Sequence, residues 1–253
     1  MKERETEKNS TVIEGRNAVL EAFRSGKTID KLFVQDGCKD GPVQTILREA
    51  RKHDTIIQFV SRERLGQLSE TGHHQGVIAH AAAWEYAQVE DMLELARSRG
   101  EAPFLILLDN VEDPHNLGAI LRSADAVGAD GIIIGRHRSV SLTPAVAKVS
   151  TGAIDSVRVC AAANMAQTLQ YLKQKGYWVV GADMDNARDY REGDYQVPLV
   201  LVIGSEGFGL RPLVKKQCDY LIRLPMCGKV NSLNASVACA VLLYKIYEQR
   251  CPL

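Results

Sequence analysis

The sequence predicts an α/β protein in two parts, a small αβ module followed by a larger parallel sheet flanked by helices. Three observations carry this. The apolar runs FLILLD (104–109), GIIIG (131–135) and LVLVIG (199–204) alternate with helix-periodic stretches, the pattern of strands buried on both faces. The first eighty residues instead mix short β-branched runs with amphipathic stretches. Between the two lies a charged segment, residues 84–100, whose Met92, Leu93, Leu95 and Ala96 sit at helical spacing.

In chain order, residues 1–9 alternate charges and read as a frayed tail. Residues 17–23 read as a helix stopped by Gly26, 29–34 as a strand, 43–53 as a helix, and 55–60 and 77–82 as strands. These define a first domain at 10–82. Residues 84–100 form a joining helix that Gly100 and Pro103 end, with the boundary between Ala83 and Val89. A second domain then fills 83–253. It begins with the strand 104–109 and a helix at 117–127 closed by Gly128. After the strand GIIIG, further strands are expected at 177–182, 199–203 and 220–224, and a final helix at 233–249. There are no repeats and no low-complexity segment.

With 45% hydrophobic and 25% charged residues the chain has material for real cores, so disorder is not expected. A formal net charge of zero argues against a large basic footprint for nucleic acid but leaves room for a local patch. The six cysteines form no CxxC pair and fit no zinc spacing, which suits a reducing compartment. His73, His74 and His115 also fit no metal site, and no metal is expected. The charged N-terminus lacks an apolar stretch and no run approaches a membrane span. A cytoplasmic protein without membrane association is the expectation.

Three polar clusters follow predicted strands, where open α/β sheets bind ligands. After FLILLD come Asn110, Asp113, Pro114, His115, Asn116, Gly118 and Arg122. Asn116 is placed to cap a helix starting at Leu117. Helix spacing leaves Arg122 open between a solvated arginine and a functional one. After LVLVIG, the loop Gly204-Ser205-Glu206-Gly207-Phe208-Gly209 lets backbone approach a ligand closely, or makes an ordinary tight turn. A carboxylate amid three glycines favours the ligand. After YLIRLP, the run 226–236 leads into a small, apolar helix that Ser232 or Asn231 could cap, or whose polar start could face a ligand. No GxGxxG follows the first strand of this region, so a nucleotide-like cofactor would not use a Rossmann loop.

The segments NVEDPHNLGAILRSADAVGADGIII, LVIGSEGFGL and LPMCGKVNSLNASVACAVLLY resemble, in order and spacing, the three motifs of the SpoU (TrmH) family of RNA 2′-O-ribose methyltransferases of the SPOUT class. VIEGRNAVLEAF and HHQGVIAH resemble that family's substrate-binding module, related to ribosomal protein L30e. The layout suits the RlmB-type branch, which methylates a guanosine of large-subunit (23S) ribosomal RNA, although relatives with this module modify other ribosomal or transfer RNA sites.

The resemblance implies a C-terminal α/β domain with a deep trefoil knot, S-adenosylmethionine as cofactor, ribosomal RNA as partner, and a homodimer whose interface draws on the final helix and the helix of Arg122. It carries over Arg122 as the catalytic arginine, with Asn116, Glu206, Ser232 and Asn234 as the polar positions around it. Ile203, Gly204, Gly207, Leu224, Met226 and Leu233 are implied as cofactor contacts, largely through backbone. The family mechanism casts the arginine as a base. A guanidinium is practically never deprotonated, so phosphate binding and alkoxide stabilisation is the chemically safer role. Two other functions compete. A non-catalytic RNA binder would not need the complete polar set, and a tRNA base methyltransferase would lack the NLGAILR and NSLNAS signatures.

Overall fold

A computed structural model describes residues 12–229 and 232–251. The chain divides into a first unit ending at Glu85 and a second beginning at Tyr86.

The first unit runs β1 (Val12–Glu14), α1 (Arg16–Arg24), β2 (Ile29–Gln35), α2 (Gly41–Lys52), β3 (Ile56–Val60), α3 (Arg62–Leu68) and β4 (Val77–Ala81). Its sheet has the order β1-β4-β2-β3, with β4 antiparallel to both neighbours and β2 parallel to β3. One face buries Leu32 and Val34 against Val19, Phe23, Ile46 and Leu47 of α1 and α2. The other buries Phe33 and Ile78 against Leu65 of α3.

A polar latch ties the loop after α3 to β1. The Glu14 carboxylate accepts from the hydroxyls of Ser69 (2.6 Å) and Thr71 (2.7 Å) and from the backbone N–H groups of Glu70 and Thr71. Burial pushes the Glu14 pKa up, but these hydrogen bonds outweigh it and hold the carboxyl at about 2. Nearby, Arg16 donates to the Gln75 carbonyl and to Asp40, whose other oxygen caps α2.

The second unit continues with α4 (Val89–Arg99), β5 (Phe104–Asp109), α5 (Pro114–Ala126), β6 (Gly131–Gly135), α6 (Pro144–Ser150), α7 (Ala153–Ser156), β7 (Val159–Ala162), α8 (Met165–Gln174) and β8 (Trp178–Ala182). It ends with β9 (Arg188–Asp189), a 3-10 turn at Tyr190–Glu192, β10 (Leu199–Gly204), α9 (Pro212–Lys215), β11 (Tyr220–Arg223) and α10 (Ala235–Arg250). The seven strands are ordered β7-β6-β5-β10-β8-β11-β9, and every pairing is parallel. β5 and β10 are fully buried at its centre apart from Gly204. From β5 the chain winds outward through β6 and β7, then crosses to β8 and returns with β10 beside β5. The winding direction therefore switches between β5 and β10, and Asp109 and Gly204 end these two strands side by side. Parallel sheets bind ligands at such a switch.

Two expected caps are corrected. α5 begins at Pro114, with Asp113 accepting from the His115 N–H at 2.9 Å, so Asn116 lies inside the first turn and is no cap. Proline at the first helical position, preceded by Asp, outcompetes Asn116 because it needs no N–H donor there. α10 begins at Ala235 and is capped by Asn234, which accepts from Ser236 N (3.0 Å) and Val237 N (3.2 Å), rather than by Ser232. Asn231 lies outside the described residues. Sequence patterning also missed β1, α3, α6, α7, β7, α8, β9 and α9, mostly elements too short to complete a period.

The far end of α10 is fastened by Arg250. Its guanidinium donates to the carbonyls of Tyr195 (2.7 Å), Val197 (2.7 Å), Pro103 (3.4 Å) and Ala102, and lies 5.1 Å from the centroid of the Phe104 ring. Burial pulls its pKa down. Among the described residues, no helix is long and apolar enough to cross a membrane.

Candidate active site at the carboxyl ends of the central strands

Three segments far apart in sequence meet beyond β5 and β10. Asn116 on α5 donates from Nδ2 to Glu206 Oε1 at 2.9 Å, and its Oδ1 accepts from Asn234 Nδ2 at 2.9 Å. Asn234 Nδ2 also donates to Glu206 Oε1, as does the Ala235 backbone N–H at 3.2 Å. One carboxylate oxygen thus collects three donors, while Oε2 has no partner among the described residues. Asn234 Oδ1 caps α10 with its remaining acceptor capacity, so the network fixes the orientation of both amides.

Glu206 sits on the glycine loop after β10. Backbone bonds from Ser205 N to Gly209 O (3.2 Å) and from Gly209 N to Ser205 O (3.0 Å) close the loop on itself. A Cβ on Gly204 would meet the Gly209 carbonyl carbon at 2.3 Å, and Gly209 has φ +62°, so both positions require glycine. Two ion pairs brace the segment that follows. The fully buried Asp109 accepts from the Arg211 backbone N–H (2.7 Å) and its Nε (2.6 Å), and Arg211 Nη2 lies 2.6 Å from the same carboxylate. Asp183, after β8, pairs with Lys215 on α9 at 2.9 Å, and this hydrogen bond raises the lysine pKa.

The loop borders a cavity of about 640 Å³. Ile203, Gly204, Gly207, Leu224, Met226 and Leu233, the six positions expected to contact a cofactor, all line it, with Glu206 and Ser232. Ser205 also lines it, and its buried Oγ has no hydrogen-bond partner. A cavity of this size, lined by backbone and apolar side chains beside the charged Asp183, Asp185, Lys215 and Arg223, and offering a hydroxyl unmatched among the described residues, fits a nucleoside-bearing cofactor.

Arg122 stands apart from this cluster. It is exposed on α5, does not line the cavity, and has no hydrogen bond or ion pair among the described residues. Six residues of helix separate it from Asn116 by about 9 Å along the axis and turn it to a different face. Asp109, Arg211, Asp183 and Lys215 escaped the sequence reading. The signal for Asp109 was there, a carboxylate closing an otherwise apolar strand.

The comparisons with known proteins agree with this geometry. Residues 103–244 match the SpoU rRNA Methylase family, and residues 12–87 match a family described as RNA 2′-O ribose methyltransferase substrate binding. The chain is 49% identical over 238 residues to YacO of Bacillus subtilis (strain 168), assigned to the TrmH family of tRNA/rRNA methyltransferases, covering 94% of this chain and 95% of that one. A crystal structure of an RNA 2′-O ribose methyltransferase superposes with a TM-score of 0.55 at 28% identity, over 98% of this chain and 92% of that one. The SpoU methyltransferase AviRb from Streptomyces viridochromogenes, in complex with AdoMet, shares the fold with a TM-score of 0.60 at 24% identity, over 94% of this chain and 90% of that one. On the strength of these matches across both units, the chain belongs to the SpoU/TrmH family of tRNA/rRNA methyltransferases, enzymes that use S-adenosylmethionine.

Proposed function

We propose that the protein methylates the ribose 2′-hydroxyl of a guanosine in large-subunit ribosomal RNA, acting in the cytoplasm as a homodimer with a knotted catalytic unit. The observation that carries the reading is the Asn116–Glu206–Asn234 network, which joins three motifs at the rim of a cofactor-sized cavity. The family match of residues 12–87, whose description names 2′-O ribose substrates, supports the choice of atom. The description of the family matched by residues 103–244, which names ribosomal RNA, supports that choice of RNA.

In this reading Ile203, Gly204, Gly207, Leu224, Met226 and Leu233 hold S-adenosylmethionine, which supplies a methyl group activated by its sulfonium. Asn116, Asn234 and the Ala235 N–H hold Glu206 still. Its unpartnered Oε2 takes the proton of the 2′-hydroxyl, a task a carboxylate can perform and a guanidinium cannot. Arg122, exposed and without a partner among the described residues, grips a phosphate of the RNA outside the cavity. Ser232 at the cavity rim orients the nucleotide. The homodimer has support in α10, where Val237, Val241, Tyr244 and Tyr247 form an exposed apolar stripe at helical spacing.

The test is transfer of labelled methyl from S-adenosylmethionine to separated ribosomal and transfer RNA, followed by nucleoside analysis. The expected product is 2′-O-methylguanosine in large-subunit RNA. Label on a base nitrogen, or in transfer RNA alone, would overturn the assignment.

A further inference from the structure

Phe208 occupies the tip of the glycine loop with its side chain 92% exposed, more than any other large apolar residue described. It lines the mouth of the 640 Å³ cavity. Among the described residues nothing uses it: it belongs to no described apolar cluster, and its ring stacks on no other. Its neighbours place no side chain against it. Gly207 has open space around it, and Gly209 takes a left-handed conformation. The loop's base is closed by the Ser205–Gly209 backbone pair, and Glu206 is tethered through its carboxylate. The free part is therefore the Gly207-Phe208 tip. Two further exposed apolar side chains, Met184 and Leu233, line the same cavity.

We infer that Phe208 is a stacking residue that covers a flat heterocycle at the mouth of the cavity, either the adenine of S-adenosylmethionine or the base of the nucleotide being methylated. The inference rests on the methyltransferase reading of this cavity and adds a contact to it. A bare aromatic ring gains little from water but much from a π-face laid against it, and every nucleobase presents one. A protein partner fits less well, because three separated apolar side chains around a cavity fall far short of the contact area a stable interface needs.

The experiment uses the full chain and three substitutions, Phe208→Ala, Phe208→Leu and Phe208→Tyr. Each is assayed by calorimetry for S-adenosylmethionine without RNA, by RNA binding with S-adenosylhomocysteine present, and by sedimentation for oligomeric state. Since nothing packs on the ring, the variants should melt like the wild type. Phe208→Ala should weaken one ligand by about 10-fold or more, the scale of one lost aromatic–base stack. Loss of cofactor affinity identifies adenine as the stacked ring, and loss of RNA affinity identifies the target base. Phe208→Tyr should restore binding, and Phe208→Leu should not. The inference fails if Leu restores binding, if neither affinity changes in Phe208→Ala, or if affinity falls only as the dimer dissociates. A wild-type protein that binds neither ligand would refute the functional reading itself. Unchanged affinities in Phe208→Ala beside an active wild type would refute Phe208 alone.

Discussion

Glu14 in the first unit and Glu206 in the second are both carboxylates wrapped in hydrogen bonds, and the two differ in what lies beside them. In the first unit Glu14 spends both oxygens on donors from a single short loop, Ser69 to Thr71. In the second, Glu206 draws its donors from positions 90 residues before and 28 residues after it, and places them all on one oxygen. The first carboxylate is saturated. The second is rigid yet keeps an unpartnered oxygen at the edge of a cavity. The first arrangement is that of a fastener, and the second leaves one oxygen open toward the cavity, as the proposed base requires. Counting donors per oxygen separates the two where burial and charge do not.

The comparison can be broken most severely at Arg122, the other unfinished group of the second unit. Arg122→Ala should lower single-turnover methyl transfer by at least ~100-fold with cofactor affinity nearly unchanged, the scale of removing one preorganised electrostatic donor. Arg122→Lys should recover only part, because an ammonium lacks the planar fork that grips phosphate twice. Full activity in either variant would take Arg122 out of the mechanism. Loss of cofactor binding along with activity would place it in the pocket instead.

A milder challenge removes the first unit altogether. A fragment of residues 86–253 should bind S-adenosylmethionine with the affinity of the whole chain, measured by calorimetry, and should lose selectivity for the proper RNA site. It must start at Tyr86, whose hydroxyl accepts from the Leu142 N–H at 3.0 Å. A folded fragment that fails to bind the cofactor would show that the centre is not contained in the second unit.

The smallest effect is expected at Glu14. Glu14→Gln keeps the shape but removes the charge that strengthens four hydrogen bonds, a cost of about 1 kcal/mol. In a unit of this size that lowers Tm by about 4–8 °C. Amide exchange at Glu70 and Thr71 should speed up first, and methyl transfer per folded molecule should not change. An activity loss out of proportion to stability would make Glu14 more than a fastener.

Much of the second unit was legible because its strands are continuous apolar runs and its three motifs are long. The strands 104–109, 131–135 and 199–203 emerge nearly as read. What failed was local competition for helix starts. Asn116 and Ser232 both look like caps, yet Asp113 and Asn234 win those positions. That outcome matters for the site, since an Asn116 engaged as a cap would have spent its Oδ1 on backbone and could not accept from Asn234 there. The six positions that line the cavity were reached only through family resemblance, because residues such as Ile203, Leu224 and Leu233 look like ordinary apolar positions in the sequence. The ion pairs Asp109–Arg211 and Asp183–Lys215 could not be read at all, as pairing between strand ends depends on a strand order that periodicity does not reveal.

The cage around Arg250 sets a timetable. Its carbonyl partners lie up to 148 positions earlier in the chain, and the cavity wall itself reaches Leu242. During synthesis the first unit has all its strands once Ala81 emerges, whereas the cavity cannot be sealed until α10 has been made. At about 5–20 residues per second that gap is roughly ten to thirty seconds. The growing chain has therefore made every strand of the first unit well before α10 can complete the cavity wall.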